Sequence, residues 1–177
     1  MNGKLNIHMK KLNIALVAHD ARKQELLEWV RHNMQTLKNH TLYATGTTGR
    51  LITEEFYQHE MPNLPIWDEE SYQKALDEYY GEKIVKLLSG PLGGDQQIGA
   101  MIAEGKIDVL IFFCDNLITQ GHQQDVGALS RLASLYNIAF ATNRTTADMI
   151  ITSSLIDDED YERIIPAAIN NYKNRSI

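Results

Sequence analysis

The sequence predicts an α/β fold, a three-layer sandwich in which one doubly wound, mostly parallel sheet of five strands lies between helices. Short apolar runs alternate along the chain with longer stretches of helical spacing, which is the pattern of βαβ units. Several of these runs are apolar on consecutive residues, as strands covered on both faces are. A chain of 177 residues is most simply one domain, so we expect a single domain over 1–177.

The predicted strands are short apolar segments that contain β-branched or aromatic residues. They are 12–18, 41–44, 84–88, 107–113 and 138–142. The predicted helices are 21–37, 50–57, 95–104, 126–136 and 146–152, with a final helix over 161–175. Crossovers between parallel strands are expected to be right-handed, whereas the order of the strands does not follow from the pattern.

The segment 54–82 interrupts this alternation. It carries nine acidic residues and a single lysine. A helix that ends at Gly81 is predicted within it. The apolar face of this helix is expected to contain Tyr72, Leu76 and Tyr79. Two interpretations stay open: a solvated surface insertion, or a lid or subunit contact.

Composition excludes several classes of function. A net charge of −6 argues against DNA or RNA as a partner, because phosphate backbones call for clustered Lys and Arg. No segment approaches the roughly 20 apolar residues that span a bilayer, and the run 12–18 is better interpreted as a buried strand than as a signal peptide. Cys114 is the only cysteine, so no intrachain disulfide can form, which fits a cytoplasmic location.

Polar residues follow four of the predicted strands at their carboxyl ends. "HD" follows the first strand, "TGTTG" the second, "SGPLGGD" the third and "CDNLITQGHQQD" the fourth. In an open α/β sheet, ligands bind outside this edge. The convergence of four such loops therefore predicts a site, although each loop alone would be weak evidence.

Two of the loops are suited to hold a phosphate. In "ATGTTGR", Gly46 allows a sharp turn, and Thr47 and Thr48 offer N–H and hydroxyl donors at a helix start. The alternative is a plain turn with a threonine N-cap. In "SGPLGGD", the donors come from Ser89 and nearby backbone, and the alternative is a turn with an aspartate as N-cap. No lysine follows the second glycine of the first loop, so a nucleoside triphosphate is not indicated.

The remaining loops supply ionisable side chains. Lys23 falls in a first helical turn, where a cation is unfavourable, and this indicates an anion partner, although a solvated surface lysine is the alternative. His122 could be an exposed loop histidine, and Asp125 could cap a helix that begins at Val126. No HxxxH or CxxC spacing supports a metal site, and no GxSxG motif supports a serine triad.

A phosphate cradle, a lysine, histidines and carboxylates without a metal or nucleotide motif indicate one kind of chemistry. They suit proton abstraction beside a carbonyl in a small phosphorylated substrate. A carboxylate would take the proton, while a histidine and N–H donors would hold the enediolate oxygens. The lysine and the threonines would hold the phosphate.

The chain resembles the methylglyoxal synthase family in a specific succession of motifs. The matching stretches are "IALVAHDARKQ", "HTLYATGTTGRLI", "LSGPLGGDQQIGAMIAEGKIDVLIFF", "DNL…H…DV.AL.RLA" and "IAFATNRTTADMII". The resemblance implies a methylglyoxal synthase-like, Rossmann-like fold. It also implies conversion of dihydroxyacetone phosphate to methylglyoxal and inorganic phosphate, by a cytoplasmic lyase that needs no cofactor and no metal.

The resemblance also implies roles for individual residues. Asp95 matches the catalytic base, and His122 matches the histidine that polarises the carbonyl. The substrate-binding residues implied are His19, Lys23, Thr45, Gly46, Thr47, Thr48, Ser89 and Gly90. Supporting acids that orient the histidines or tune their pKa values are Asp20, Asp115 and Asp125. An arginine of the family matches Arg131, whose role stays open.

The implied partners are the substrate, phosphate as an inhibitor and further copies of the chain in a homohexamer. Shorter relatives lack the acidic insertion at about 55–80, which leaves its role in the subunit interface, access or regulation open. Cys114, beside Asp115, is a candidate for oxidation sensitivity.

Two alternatives come from other classes of protein. A ligand-sensing domain of the same fold, as in carbamoyl-phosphate synthetases, predicts loss of the acid and the histidine, which are both present. A receiver-like signalling domain requires an acid pair after the first strand and a lysine after the fifth, and neither is found.

Overall fold

The centre of the molecule is a sheet of five strands in the computed structural model. The strands are β1 Asn13–Ala18, β2 Thr41–Thr45, β3 Ile84–Leu87, β4 Val109–Phe113 and β5 Ala139–Ala141. Their order is β3-β2-β1-β4-β5, and all four neighbouring pairs are parallel. The structure describes residues 10–61, 68–117 and 123–175. The predicted five-stranded α/β sheet is confirmed, and within these residues it is parallel throughout.

Helices cover both faces of the sheet. The α-helices in the described parts of the chain are α1 Lys23–Leu37, α2 Gly46–Glu60, α3 Glu69–Tyr80, α4 Gly94–Ala103, α5 Gln123–Leu135, α6 Arg144–Ile151 and α7 Ala167–Lys173. Helices α1, α2, α3 and α6 contact one another along one face, and α4 packs with α5 on the other. This is the predicted three-layer arrangement.

The side chains of β1 show why the layers form. Ile14 and Leu16 join the buried cluster that contains Trp29 of α1, whereas Ala15 and Val17 join the cluster that contains Ile98 of α4. Successive residues of a strand point to opposite faces, so an unbroken apolar run is buried on both sides. The two clusters cover the two faces of the sheet at its central strands.

Three of the predicted helices have wrong boundaries. Helix α2 begins at Gly46 rather than at residue 50, because its first turn is part of the polar loop itself. Helix α5 begins at Gln123, so Asp125 lies in its first turn and is not its N-cap. The last helix spans only Ala167–Lys173. Pro166 precedes it and cannot donate a backbone hydrogen bond to a helix extended from 161.

The acidic segment packs on the fold through α3. Asp68 caps this helix by accepting a hydrogen bond from the Ser71 N–H at 2.8 Å, and the helix ends at Gly81 as predicted. Leu76 is buried as expected, but the second buried residue is Tyr80, and Tyr79 is 49% exposed. The predicted apolar face is therefore wrong by one position at its end.

The strand order creates a crevice beside the central strand. The chain runs from β1 outward to β2 and β3, and then returns to β4 on the other side of β1. The helices that follow diverge to opposite faces at this switch point, and open α/β sheets bind ligands there. Among the residues described, no helix combines the length and the apolar character needed to cross a membrane.

Candidate functional site

A cleft of about 770 Å³ lies at the carboxyl edge of the sheet. It is lined by Val17, Ala18, His19, Asp20, Lys23, Thr45, Thr47, Thr48, Ser89, Gly90, Pro91, Leu92, Asp95, Phe112 and Asp125. Ten of the residues singled out from the sequence are in this group. The loops after the first three strands thus converge as predicted, together with the end of β4 and the first turn of α5.

The loop after β2 leads directly into the N-terminus of α2. Thr45 is extended and α2 begins at Gly46, with no acidic residue in the first turn. The first N–H groups of a helix have no partner within it, so those of Thr47 and Thr48 can donate to an anion in the cleft. Thr45 and Thr48 are buried. The sequence predicted these donors in a loop before a helix that begins at residue 50, whereas they lie in the first turn of the helix itself, where its dipole acts.

Gly46 brings the loop after β2 into contact with the loop after β3. Its φ is +38°, and its N–H donates to the Leu88 carbonyl at 3.1 Å. A Cβ at this position would lie 2.7 Å from the Cα of Ser89. Only glycine therefore fits where the two loops meet, at the contact between Gly46 and Ser89, which we call the Gly46 crossing. Gly46 does not line the cleft; it brings the donors of the two loops together.

The loop after β3 presents a buried carboxylate. A 3-10 turn over Gly90–Leu92 leads into α4, whose first turn contains Asp95. The Asp95 residue is only 1% exposed, and a Cβ added to Gly90 would lie 3.0 Å from its Oδ1. The N-cap of α4 is Gly93, so the alternative in which Asp95 caps the helix is wrong. The Asp95 carboxylate is thus held inside the cleft, next to Gly90.

The loop after β1 carries the predicted cation. Lys23 is the first residue of α1, and its Nζ lies 2.5 Å from Oδ1 of Asp20. The Asp20 side chain is 94% exposed, whereas that of Lys23 is 23% exposed. Asp20 therefore holds the lysine at the rim of the cleft, where an incoming anion can compete for it.

His19 is buried at the end of β1. Its backbone N–H donates to the Phe113 carbonyl at 3.2 Å, and its ring meets the edge of Phe112 with 5.0 Å between centroids. Its Nδ1 accepts a hydrogen bond from the backbone N–H of Asp115 at 2.8 Å. The ring is thus fixed by the neighbouring strand β4.

The segment after β4 is described as far as Leu117. The Asp115 carboxylate accepts a hydrogen bond from the Leu117 N–H at 3.0 Å, and the Asp115 backbone N–H is the group that donates to His19. His122 lies outside the described residues. Asp125 lines the cleft from α5, and Arg131 is exposed on the same helix.

The structure does not support the expectation that Cys114 is sensitive to oxidation. It is buried, and burial raises the pKa of its thiol to about 11. The thiolate is the reactive form, so a raised pKa disfavours reaction of this thiol. In the described part of the chain, no group of three or more His, Cys, Asp or Glu side chains could hold a metal ion.

Sequence reasoning missed Arg22, which lies in the 3-10 turn Asp20–Arg22 before α1. Its Nη1 donates to the Cys114 carbonyl at 3.1 Å, which ties the loop after β1 to the end of β4. Nothing in the sequence marks this arginine, because the contact joins residues 92 positions apart. Phe112 was missed as well, since it belongs to an apolar run that is typical of a core strand.

Curated relatives cover most of the chain. A methylglyoxal synthase from Proteus mirabilis is 47% identical over 152 residues, which are 86% of this chain and 84% of the relative. One from Maridesulfovibrio salexigens is 49% identical over 150 residues, or 85% of this chain and 88% of the relative. The chain belongs to the methylglyoxal synthase family. The family model of the MGS-like domain matches residues 73–142, which include the loop of Asp95 and the strand β4.

A solved structure supports the same assignment. The crystal structure of methylglyoxal synthase from Elizabethkingia anophelis is 38% identical and superposes with a TM-score of 0.71. The match covers 94% of this chain and 93% of the other. The predicted family and the predicted fold are both confirmed.

Proposed function

We propose that this protein is a methylglyoxal synthase that converts dihydroxyacetone phosphate to methylglyoxal and inorganic phosphate without a cofactor. One observation carries the proposal beyond family membership. A buried carboxylate, Asp95, shares a cleft with the donors of a helix N-terminus and a lysine. A base beside an anion cradle is what proton abstraction from a small phosphorylated ketone requires.

The phosphate end of the substrate is assigned to the loops after β2 and β3 and to Lys23. The N–H groups of Thr47 and Thr48 donate from the first turn of α2, where the helix dipole favours negative charge. Ser89 and Gly90 face them across the Gly46 crossing. Lys23 exchanges its contact with Asp20 for the phosphate, which replaces one charge-assisted hydrogen bond by another.

Asp95 acts at the other end of the substrate. Its carboxylate removes a proton from the hydroxymethyl carbon, and the electron pair moves to the carbonyl oxygen to give an enediolate. We assign to His19, which also lines the cleft, a hydrogen bond to an enediolate oxygen, and by resemblance His122 polarises the carbonyl. Asp20, Asp115 and Asp125 are assigned supporting roles. The acid is not assigned a contact with the phosphate, but its charge lies close enough to disfavour a bound anion, so its removal should leave phosphate binding unchanged or tighter.

Elimination completes the reaction. The C–O bond to phosphate breaks when it lies perpendicular to the enediolate plane, because only then does it overlap the π system. A proton first moves from the hydroxyl on the former hydroxymethyl carbon to the other enediolate oxygen, a transfer that the resemblance assigns to His122. The deprotonated oxygen then becomes the aldehyde, the C=C pair shifts toward the methylene carbon, and phosphate leaves with the electrons of its C–O bond. The resulting enol takes a proton at its methylene carbon and loses its hydroxyl proton to give methylglyoxal. We assign to the two phosphate loops the task of holding the bond out of plane. An in-plane bond would favour isomerisation instead.

The remaining expectations from the family belong to the same proposal. Free phosphate competes with the substrate for the same donors and inhibits. The chain is cytoplasmic, forms one domain over 1–177 with an acidic insertion at about 55–80, and assembles as a homohexamer. Light scattering of the purified protein measures the last of these, and inhibition by added phosphate measures the first.

The activity is tested with dihydroxyacetone phosphate as the substrate. Purified protein should release methylglyoxal and inorganic phosphate in equal amounts, without added metal or cofactor. Formation of glyceraldehyde 3-phosphate without methylglyoxal would show that the loops hold the phosphate in plane. Phosphate binding without either product would favour the ligand-sensing domain.

A further inference from the structure

One peptide unit connects the loop after β1 with the end of β4. The N–H of the Cys114–Asp115 peptide donates to Nδ1 of His19 at 2.8 Å. The carbonyl of the same peptide accepts from Nη1 of Arg22 at 3.1 Å. Both polar atoms of a single peptide are therefore engaged by side chains of the connection between β1 and α1.

The hydrogen bond to Nδ1 determines the tautomer of His19. A neutral imidazole has one nitrogen that donates and one that accepts. Because a backbone N–H can only donate, Nδ1 must carry the lone pair, and the ring proton lies on Nε2. A second proton on Nδ1 would bring two donors face to face, so this contact favours the neutral ring.

The surroundings hold this peptide in place. The Cys114 N–H donates to the Thr142 carbonyl at 3.3 Å, and the Asp115 carboxylate accepts the Leu117 N–H at 3.0 Å, which closes a turn directly after the peptide. Arg22 is directed by Glu25, whose Oε2 lies 2.6 Å from Nε and 2.5 Å from Nη2. The guanidinium thus reaches the carbonyl with its orientation already set.

We propose that Arg22 and Asp115 are positioning residues that act through the Cys114–Asp115 peptide to fix His19 as a neutral Nε2–H donor toward a substrate oxygen. This inference rests on the proposed function for its catalytic consequence, but the tautomer itself does not. In this arrangement His19 donates a hydrogen bond to the developing enediolate, and proton abstraction is left to Asp95. Asp115 contributes as a hydrogen-bond acceptor in a turn, and its charge is not required.

The tautomer can be read in the unmodified protein without any turnover. Long-range proton–nitrogen correlation spectra of protein labelled with 15N-histidine report which ring nitrogen carries the proton. His19 is assigned among the six histidines by the signal lost in His19→Gln. The proton should be found on Nε2. A proton on Nδ1, or an imidazolium at neutral pH, would overturn the proposal even if methylglyoxal is formed.

Arg22 is tested by Arg22→Met, with Arg22→Lys as the conservative variant. Loss of the guanidinium should mix the two tautomers of His19 and lower kcat by about tenfold or more, since a small misplacement of a catalytic group is costly. Arg22→Lys, which keeps a donor for the carbonyl, should restore most of the tautomer. A suitable control is Arg31→Met, because Arg31 pairs with Glu55 at 2.6 Å on the exposed side of α1. An unchanged tautomer and kcat in Arg22→Met would refute the role.

Asp115 is tested by comparing two substitutions. Asp115→Asn keeps an oxygen that can accept the Leu117 N–H, so it should retain the Nε2–H tautomer and restore most of the rate lost in Asp115→Ala. Asp158→Ala is the matched control, because Asp158 accepts the Asp160 N–H at 2.9 Å in an exposed turn of the same type. If Asp115→Asn is as impaired as Asp115→Ala, the charge is required and the positioning role is wrong.

Discussion

Gly46 is the position at which a single substitution should disturb the geometry of the proposed phosphate site most. Gly46→Ala would place a methyl group 2.7 Å from the Ser89 Cα, at a φ of +38° that alanine disfavours. The two loops must then separate. We expect the free energy of unfolding to fall by about 1–3 kcal/mol, and kcat/KM to fall as well because the donors of the two loops move apart. Urea unfolding and steady-state kinetics measure the two effects.

Gly105→Ala separates the two causes. Gly105 also has a positive φ, of +77°, but a methyl group at this position would meet nothing within 4 Å. Gly105→Ala should therefore lower the free energy of unfolding through backbone strain alone and leave kcat/KM unchanged. If both alanine variants reduce kcat/KM equally, the crossing of the loops at Gly46 has no special part in binding.

In the proposed function, Lys23 binds the phosphate group of the substrate. In Lys23→Ala we expect KM to rise roughly thirtyfold, equivalent to about 2 kcal/mol for a lost charge-assisted hydrogen bond. Lys106→Ala is the control, because Lys106 pairs with Glu104 at 2.7 Å on the surface away from the cleft. An unchanged KM would mean that Lys23 only forms a surface ion pair with Asp20 and does not bind the substrate.

Helix α3 is part of the core although its composition is that of a solvated surface. Leu76 is fully buried, and the Tyr80 hydroxyl donates to Glu60 at 2.9 Å. Leu76→Ala should cost about 2–5 kcal/mol of unfolding free energy, as large-to-small changes in cores do. Tyr79→Ala, on the exposed side, should cost far less. Chemical unfolding checks both.

A small loss in Leu76→Ala would mean that the acidic segment is attached loosely and does not stabilise the sheet. No described residue of 54–82 lines the cleft, so the kcat of Leu76→Ala should stay near that of the unmodified chain at low temperature. An unchanged kcat would favour a surface insertion over a lid as the interpretation of the acidic segment.

The elements were predictable where local pattern decides them. The apolar runs of β1 and β4 and the capped start of α3 gave strands and a helix at nearly the right positions. The start of α2 was not predictable, because Gly46 and Gly49 are poor helix formers. Tertiary contacts impose the helix there. The role of Arg22 also depends on a contact between distant parts of the chain.

Across the whole molecule, His40 links stability to pH. It is fully buried directly before β2, where Nδ1 accepts the Leu12 N–H at 3.3 Å and Nε2 lies 3.9 Å from Asp157. Burial lowers the pKa of His40 from its ordinary value of 6.5, against the smaller opposing effects of Asp157 and Asp108. The folded state therefore binds a proton on this ring less readily than the unfolded chain does.

The sign of the effect follows from that difference. The contribution of neutral His40 to stability is complete above about pH 6.5 and is lost as pH falls toward the lower pKa of the folded state, at no more than about 1.4 kcal/mol per pH unit. His40→Gln should flatten this part of the stability profile. His32→Gln, on the exposed side of α1, should not. Urea unfolding as a function of pH measures the profiles, and identical profiles in all three proteins would refute the linkage.

The position of the site at one edge of the sheet was predictable, because the carboxyl ends of parallel strands share an edge. The strand order β3-β2-β1-β4-β5 was not, since pairing between distant strands leaves no local signal. That order places the loop of Asp95 beside the loop of Gly46 and both near the end of β1. The cleft is therefore a property of the assembled sheet more than of any single motif.

In the proposed function, Asp95 is the base in a cleft that holds the phosphate of the substrate. Asp95→Asn keeps the size of the side chain and removes its basicity. Formation of methylglyoxal from dihydroxyacetone phosphate should fall by about 10²- to 10⁴-fold, while inorganic phosphate binds as tightly as before or more tightly. Asp158→Asn, in an exposed turn, serves as the control. Retained turnover in Asp95→Asn would contradict the account and make Asp20 the next candidate for the base.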